Sequence, residues 1–203
     1  MTSIETIMRT APVIPVLVIE DVAHARPIAQ ALVAGGLTVL EVTLRTPAAL
    51  DVIREMSAVK GAIVGAGTVL NEADLRASID AGAKFIVSPG LTEPLGKAAI
   101  ASNIPFLPGI ANAGDIMRGL DMGLAHFKFF PAEASGGIAA LKALAAPFPQ
   151  CRFCPTGGIT AKTAPQWLAL EAVLCVGGSW IAPKGIPNPA LIQETAREAS
   201  RLA

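Results

Sequence analysis

The chain has 203 residues, 52% of them apolar and 16% charged, with 16 Lys or Arg against 16 Asp or Glu. High hydrophobicity without net charge excludes a disordered chain, and the lack of a basic excess excludes a nucleic-acid binder, whose affinity rests on phosphate neutralisation. The length fits one domain, residues 1–203, with a full core, and the absence of Tyr leaves any proton transfer to Glu, Asp, His, Lys, Cys or water. In chain order, Ile4, Ile7 and Met8 share one face of a predicted N-terminal helix. Short runs rich in Val, Ile, Leu and Phe then recur at Val13–Ile19, Leu37–Val42, Ala62–Ala66, Lys84–Ser88, Pro105–Pro108, Ala125–Phe129, Arg152–Pro155 and Ala172–Val176. Each reads as a buried strand.

Helical spacing fills the intervals. Asp21 precedes one helix, which the glycines at 35–36 stop. Thr46-Pro47 opens the next, Asn71 caps another with Asp74 in its first turn, and Thr92, Asn112, Ser135 and Thr160 are candidate N-caps for the rest. Eight alternations of strand and helix predict an α/β fold, a single (β/α)8 TIM barrel with an extra N-terminal helix covering one end. A doubly wound open sheet is the alternative.

The longest uncharged stretch, Ala98 to Gly114, contains Asn103, Pro105, Pro108, Gly109 and Asn112 and would make a poor membrane span. Met1 to Thr10 has no apolar run, so no secretory signal is expected. Three sparse cysteines do not form a disulfide framework. A cytoplasmic protein without membrane or nucleic-acid partners is the expectation.

In a barrel, chemistry sits at the C-terminal ends of the strands. The second run reads Leu37-Thr38-Val39-Leu40-Glu41-Val42-Thr43-Leu44-Arg45, and alternation puts Glu41, Thr43 and Arg45 on one face, pointing inward. Glu41 is then either a general acid/base beside an anion-binding Arg45 or half of a structural Glu41–Arg45 ion pair. Of seven lysines, only Lys128 lies near the C-terminal end of a strand, flanked by Phe127 and Phe129. A desolvated Lys offers the free amine that attacks ketones; the alternative is a snorkelling side chain with its head in water. The seventh and eighth runs lead into Gly157-Gly158 and Gly177-Gly178, where backbone N–H groups can approach a phosphate.

Other patterns carry less. Gly65-Ala66-Gly67-Thr68-Val69-Leu70 opens like a dinucleotide fingerprint but has Leu where Gly or Ala is needed. Gly90 to Lys97 is one residue too long for a P-loop. Cys151 and Cys154 point to opposite faces of a strand. His24 is expected to be exposed and His126 to sit inside the barrel. Two distant histidines and no acidic cluster predict no metal, and no cofactor is expected. Trp167 and Trp180 read as packing residues.

Six motifs stand in order: "ALVAGG" with "LEVTLRTP" at 31–47, "VGAGTVL" at 64–70, "SPGLTEPL" at 88–95, "FKFFPAE" at 127–133, "RFCPTGGIT" at 152–160 and "VLCVGGSW" at 173–180. On these, from about Val13 to Trp180, the chain resembles the 2-dehydro-3-deoxy-phosphogluconate (KDPG) aldolase and 4-hydroxy-2-oxoglutarate aldolase family. The resemblance implies a class I, metal-independent, Schiff-base lyase of the Entner–Doudoroff pathway, typically a homotrimer, acting on a small phosphorylated 2-keto acid. It implies that Lys128 forms the Schiff base and Glu41 shuttles protons. Arg45 and Thr68 would hold the carboxylate of the pyruvate end, while Pro89 and Phe130 wall the pocket. Thr156 would contact the substrate, and Gly157, Gly158, Gly178 and Ser179 would hold its phosphate. Galactonate-type relatives tend to carry an apolar residue at the position of Thr156.

Overall fold

The structure is a computed structural model and describes residues 3–202. Helix α1 (Ile4–Met8) precedes β1 (Val13–Leu17), and strands and helices then alternate: α2 (Ala25–Ala34), β2 (Val39–Thr43), α3 (Ala49–Ser57), β3 (Ile63–Gly67), α4 (Glu72–Asp80), β4 (Ile86–Val87), α5 (Glu93–Ala101), β5 (Phe106–Leu107), β6 (Gly109–Ile110), α6 (Ala113–Asp121), β7 (His126–Phe129), α7 (Gly137–Ala145), β8 (Arg152–Pro155), α8 (Ala164–Leu168), β9 (Val176–Gly178) and α9 (Pro189–Ala199). All strand pairs are parallel, in two ladders ordered β5-β4-β3-β2-β1-β9 and β6-β7-β8. A parallel bridge between Thr156 and Gly177 links β8 to β9, and only Pro108 separates β5 from β6. The result is a mixed α/β fold around a curled parallel sheet.

Local sequence sets the helix starts. The Asn71 side chain accepts from Asp74 N–H at 2.9 Å, and Asp74 reaches back to Leu70 N–H at 3.1 Å. Asn112 and Asp115 repeat the arrangement at α6, at 3.0 Å in both directions. Each pair satisfies N–H groups that a helix start leaves free. Gly35 ends α2, and a Cβ there would collide with Ala196 of α9, so the glycine also permits close α2–α9 packing.

Several expectations are corrected. The fifth run, Pro105–Pro108, holds only β5, because Pro108 has no N–H to extend a ladder, and pairing resumes beyond the expected run as β6. The last strand is Val176–Gly178 rather than Ala172–Val176, so Gly177 and Gly178 lie within it. Helix α3 starts at Ala49, beyond Thr46-Pro47. Asp21 caps a short 3-10 turn, Val22–His24, before α2 begins. The caps of α7 and α8 are Gly136 and Thr163, not Ser135 and Thr160.

Two layers of core result. The larger lies between strands and helices and includes Leu40, Val42, Val64, Phe127, Phe129 and Trp167. The smaller fills the inside of the curl with Ile14, Val39, Phe85, Val87, Leu107, Cys154 and Cys175, and α1 closes it from below with Ile7 and Met8. Cys151 and Cys154 belong to different layers, as strand alternation requires. All three cysteines are free and buried. No helix among the described residues is long and apolar enough to cross a membrane.

Candidate active site

Directly above the inner apolar layer sit two charged side chains. Glu41 follows Val39 on the inside face of β2, and Lys128 lies on β7, opposite Gly109 of β6 and Cys154 of β8. Lys128 Nζ donates to Glu41 Oε1 at 3.0 Å. The residues are only 4% and 3% exposed, so neither the snorkelling Lys128 nor the Glu41–Arg45 ion pair exists. Arg45 instead stays exposed and donates from Nε to Thr68 Oγ1 at 3.3 Å. Two charges at this depth persist because each is the other's partner; removing one would strand the other in a poorly solvated site.

Neighbouring residues make room for the pair. A Cβ on Gly67, which is paired with Thr43 on β2, would run into the Glu41 carboxylate. A Cβ on Gly65 would strike the Phe85 ring beneath it. The "GAG" of β3 therefore leaves the inside of the sheet open for a carboxylate and a phenyl ring. In the sequence these glycines resemble an interrupted nucleotide motif, and the one local sign of their role is their i, i+2 spacing on a strand. Phe130 lies beside the amine, with its ring centroid 5.4 Å from Lys128 Nζ.

The remaining candidates ring the C-terminal ends of the strands. Thr68 follows β3 with φ of 61°, a left-handed conformation rarely adopted by a β-branched residue. Pro89 follows β4, half-buried, and its carbonyl crosses so close to Gly109 that no side chain fits there. Thr156 is buried at the end of β8, bridging to Gly177. Gly157 and Gly158 turn the chain with φ of 104° and 80°, which suits glycine. Gly178 is buried under the Trp180 ring, and Ser179 is exposed just beyond it. Neither Arg45 nor Ser179 hydrogen-bonds to the Glu41–Lys128 pair.

Other titratable groups lie outside this arrangement. His24 is half-buried rather than exposed. His126 is half-buried at the opposite end of the Lys128 strand, where its Nε2 lies 3.7 Å from Glu5 Oε2 of α1. A bond to Cys154, reinforced by burial, pushes the Cys175 thiol well above the ordinary thiol range, so it is no nucleophile at neutral pH. Among the described residues no group of three or more His, Cys, Asp or Glu could hold a metal ion. What the site can do is bring an amine and a carboxylate together, shielded from bulk water, below a rim rich in donors. An amine so enclosed can attack a carbonyl carbon while the adjacent carboxylate exchanges protons with the oxygen.

Known proteins resemble this chain over nearly its whole length. The 2-dehydro-3-deoxy-phosphogluconate aldolase of Zymomonas mobilis subsp. mobilis is 60% identical over 200 residues, covering 98% of this chain and 96% of that protein. The crystal structure of the 2-keto-3-deoxy-6-phosphogluconate aldolase of Z. mobilis ZM4 with 3-phosphoglycerate superposes with a TM-score of 0.98 at 60% identity, over 100% of this chain and 97% of the other. That of the KDPG aldolase from Legionella pneumophila, with pyruvate captured at low pH as a covalent carbinolamine intermediate, gives 0.94 at 45% identity over 98% of both chains. The family model for KDPG and KHG aldolase matches residues 4–195, and the chain belongs to that family.

Proposed function

We propose that this protein is a class I aldolase that cleaves 2-dehydro-3-deoxy-6-phosphogluconate to pyruvate and glyceraldehyde 3-phosphate through a Schiff base on Lys128. The observation that carries this reading is the buried 3.0 Å contact between Lys128 Nζ and Glu41 Oε1. The carbinolamine captured in the Legionella relative supports it.

Lys128 Nζ attacks the C2 ketone, and the carbinolamine loses water to give a cationic iminium. Glu41 supplies and removes the protons of these steps. The iminium accepts the electron pair of the breaking C3–C4 bond, while Glu41, with water, takes the C4 hydroxyl proton. Glyceraldehyde 3-phosphate leaves and an enamine remains. Protonation at C3 and hydrolysis release pyruvate and restore the amine. Arg45 and Thr68 face the substrate carboxylate, Pro89 and Phe130 wall the cleft, and Thr156 touches the sugar chain. Gly157, Gly158, Gly178 and Ser179 hold the phosphate, whose remote binding energy orients the reacting carbons. The 3-phosphoglycerate in the Z. mobilis relative supports a phosphate-binding rim.

The two ladders, bridged at Thr156–Gly177, read as one closed (β/α)8 barrel in a single domain, 1–203, with α1 as an end cap. The working form is a cytoplasmic homotrimer serving the Entner–Doudoroff pathway. The family description favours a second substrate, 4-hydroxy-2-oxoglutarate, cleaved by the same residues without the phosphate anchor.

Incubation with pyruvate and sodium borohydride, followed by intact-mass measurement, tests the reading. A stable adduct is expected on Lys128 and none in Lys128→Ala. Catalytically active wild-type protein that forms no adduct overturns the Schiff base.

A further inference from the structure

The segment after Lys128 does not simply leave the sheet. Thr156 N–H donates to Phe129 C=O at 2.9 Å, Ala132 N–H to Thr156 C=O at 2.8 Å, and Glu133 N–H to Gly157 C=O at 3.1 Å. The backbone carrying Phe130 thus runs alongside the backbone that turns at Gly157-Gly158. At the end of this ladder the Glu133 carboxylate accepts from the indole N–H of Trp167, Oε1 to Nε1 at 3.1 Å. Trp167 is fully buried on α8, the helix that follows the glycine turn, and its ring leans on Phe129, next to Lys128, with centroids 6.3 Å apart. The Glu133 stem lies across Gly158, where an added Cβ would come within 2.7 Å of Cγ.

Glu133 therefore touches three segments at once: the strand extension beyond Lys128, the Gly157-Gly158 turn and the buried Trp of α8. A fully buried indole N–H needs an acceptor, and a carboxylate is a stronger one than a neutral oxygen. We propose that Glu133 is a positioning residue that locks the Gly157-Gly158 turn to the Lys128 strand, and so fixes the distance between the substrate's phosphate and its reacting ketone. The inference rests on the proposed function, in which that turn holds the phosphate. Glu133 itself, with its carboxylate bonded to Trp167, takes no part in the covalent chemistry. Its effect falls on substrates that carry a phosphate and must span both sites.

Steady-state kinetics on a phosphorylated and an unphosphorylated substrate, 2-dehydro-3-deoxy-6-phosphogluconate and 4-hydroxy-2-oxoglutarate, decide the matter. Glu133→Ala should raise KM for the first by roughly tenfold, the order of one lost positioning contact, and leave KM for the second within about twofold. Glu133→Gln keeps an oxygen for the Trp167 N–H and should recover most of the loss. An unchanged KM for the phosphorylated substrate, an equal rise for both substrates, or a Gln variant as impaired as Ala overturns the proposal. Borohydride trapping of pyruvate on Lys128 in wild type and Glu133→Ala separates the two levels. Its failure in the wild type would sink the aldolase reading, whereas its selective failure in the variant would move Glu133 from phosphate positioning to the amine itself and so refute the inference alone.

Discussion

The two ends of the curled sheet are made by the same strands and hold opposite chemistry. At the N-terminal end, Ile7 and Met8 of α1 close over Ile14, Val39, Phe85 and Leu107, and the space is filled by hydrocarbon and thiol. On β2 the change to charge falls between Val39 and Glu41, two residues or roughly 7 Å along a strand. The floor is built of hydrocarbon and thiol, so the amine and carboxylate above it exchange protons with each other or with whatever enters from the rim. The floor supplies rigidity and dryness, and the rim supplies donors and charges. Substitutions at the two ends should therefore damage different observables.

The sharpest test of that division is Glu41→Gln. Loss of general acid/base catalysis should lower turnover by about 10²- to 10⁴-fold, while the far-UV spectrum is retained and pyruvate is still trapped on Lys128 by borohydride. Near-normal turnover would remove Glu41 from its role and leave the charged pair a structural feature. Ile7→Ala is the matching test below. It should cost about 2–5 kcal/mol of stability in denaturant unfolding, the range for truncating a buried Ile, and change KM only slightly. A fall in kcat with no loss of stability would show that floor and rim are not separable.

The division was readable in the sequence where alternation alone decides it. Glu41 and Lys128 stand at inward positions near strand ends, and a strand's period of two placed both correctly. Alternation also separates Cys151 from Cys154, and helical spacing puts Ile7 and Met8 on one face of α1. What alternation cannot tell is which charged residue meets which. Arg45 is only four residues from Glu41, but a strand of that length carries it beyond the buried zone to Thr68, while Lys128 arrives from 87 positions away. Pairings that depend on register between distant strands leave no local trace. The Glu133–Trp167 bond, 34 positions apart, was hidden for the same reason. Local chemistry misleads at proline and glycine: the expected run ends at Pro108, yet strand pairing resumes beyond it at Gly109-Ile110, and Gly177 and Gly178, suited to a turn, extend a strand instead.

The smallest effect expected tests whether the floor is electrically quiet. His126 lies on the strand of Lys128 but at the other end, facing Glu5, with Arg9 and Arg152 also acting on it. Burial pushes its imidazole below the ordinary value of 6.5, and this outweighs the opposing pull of Glu5. A depressed folded-state value means that the unfolded chain takes up the proton first as pH falls. The contribution to stability is therefore present above about pH 6.5 and is lost as pH drops through the folded-state value. Urea midpoints at about pH 7.5 and pH 5.5 should fall on acidification for the wild type, and His126→Gln should flatten that difference with little change at the higher pH. An equal fall in the variant would assign the acid sensitivity elsewhere. A wild type that gains stability on acidification would mean that Glu5 dominates, and the floor would then contain a working ion pair of its own.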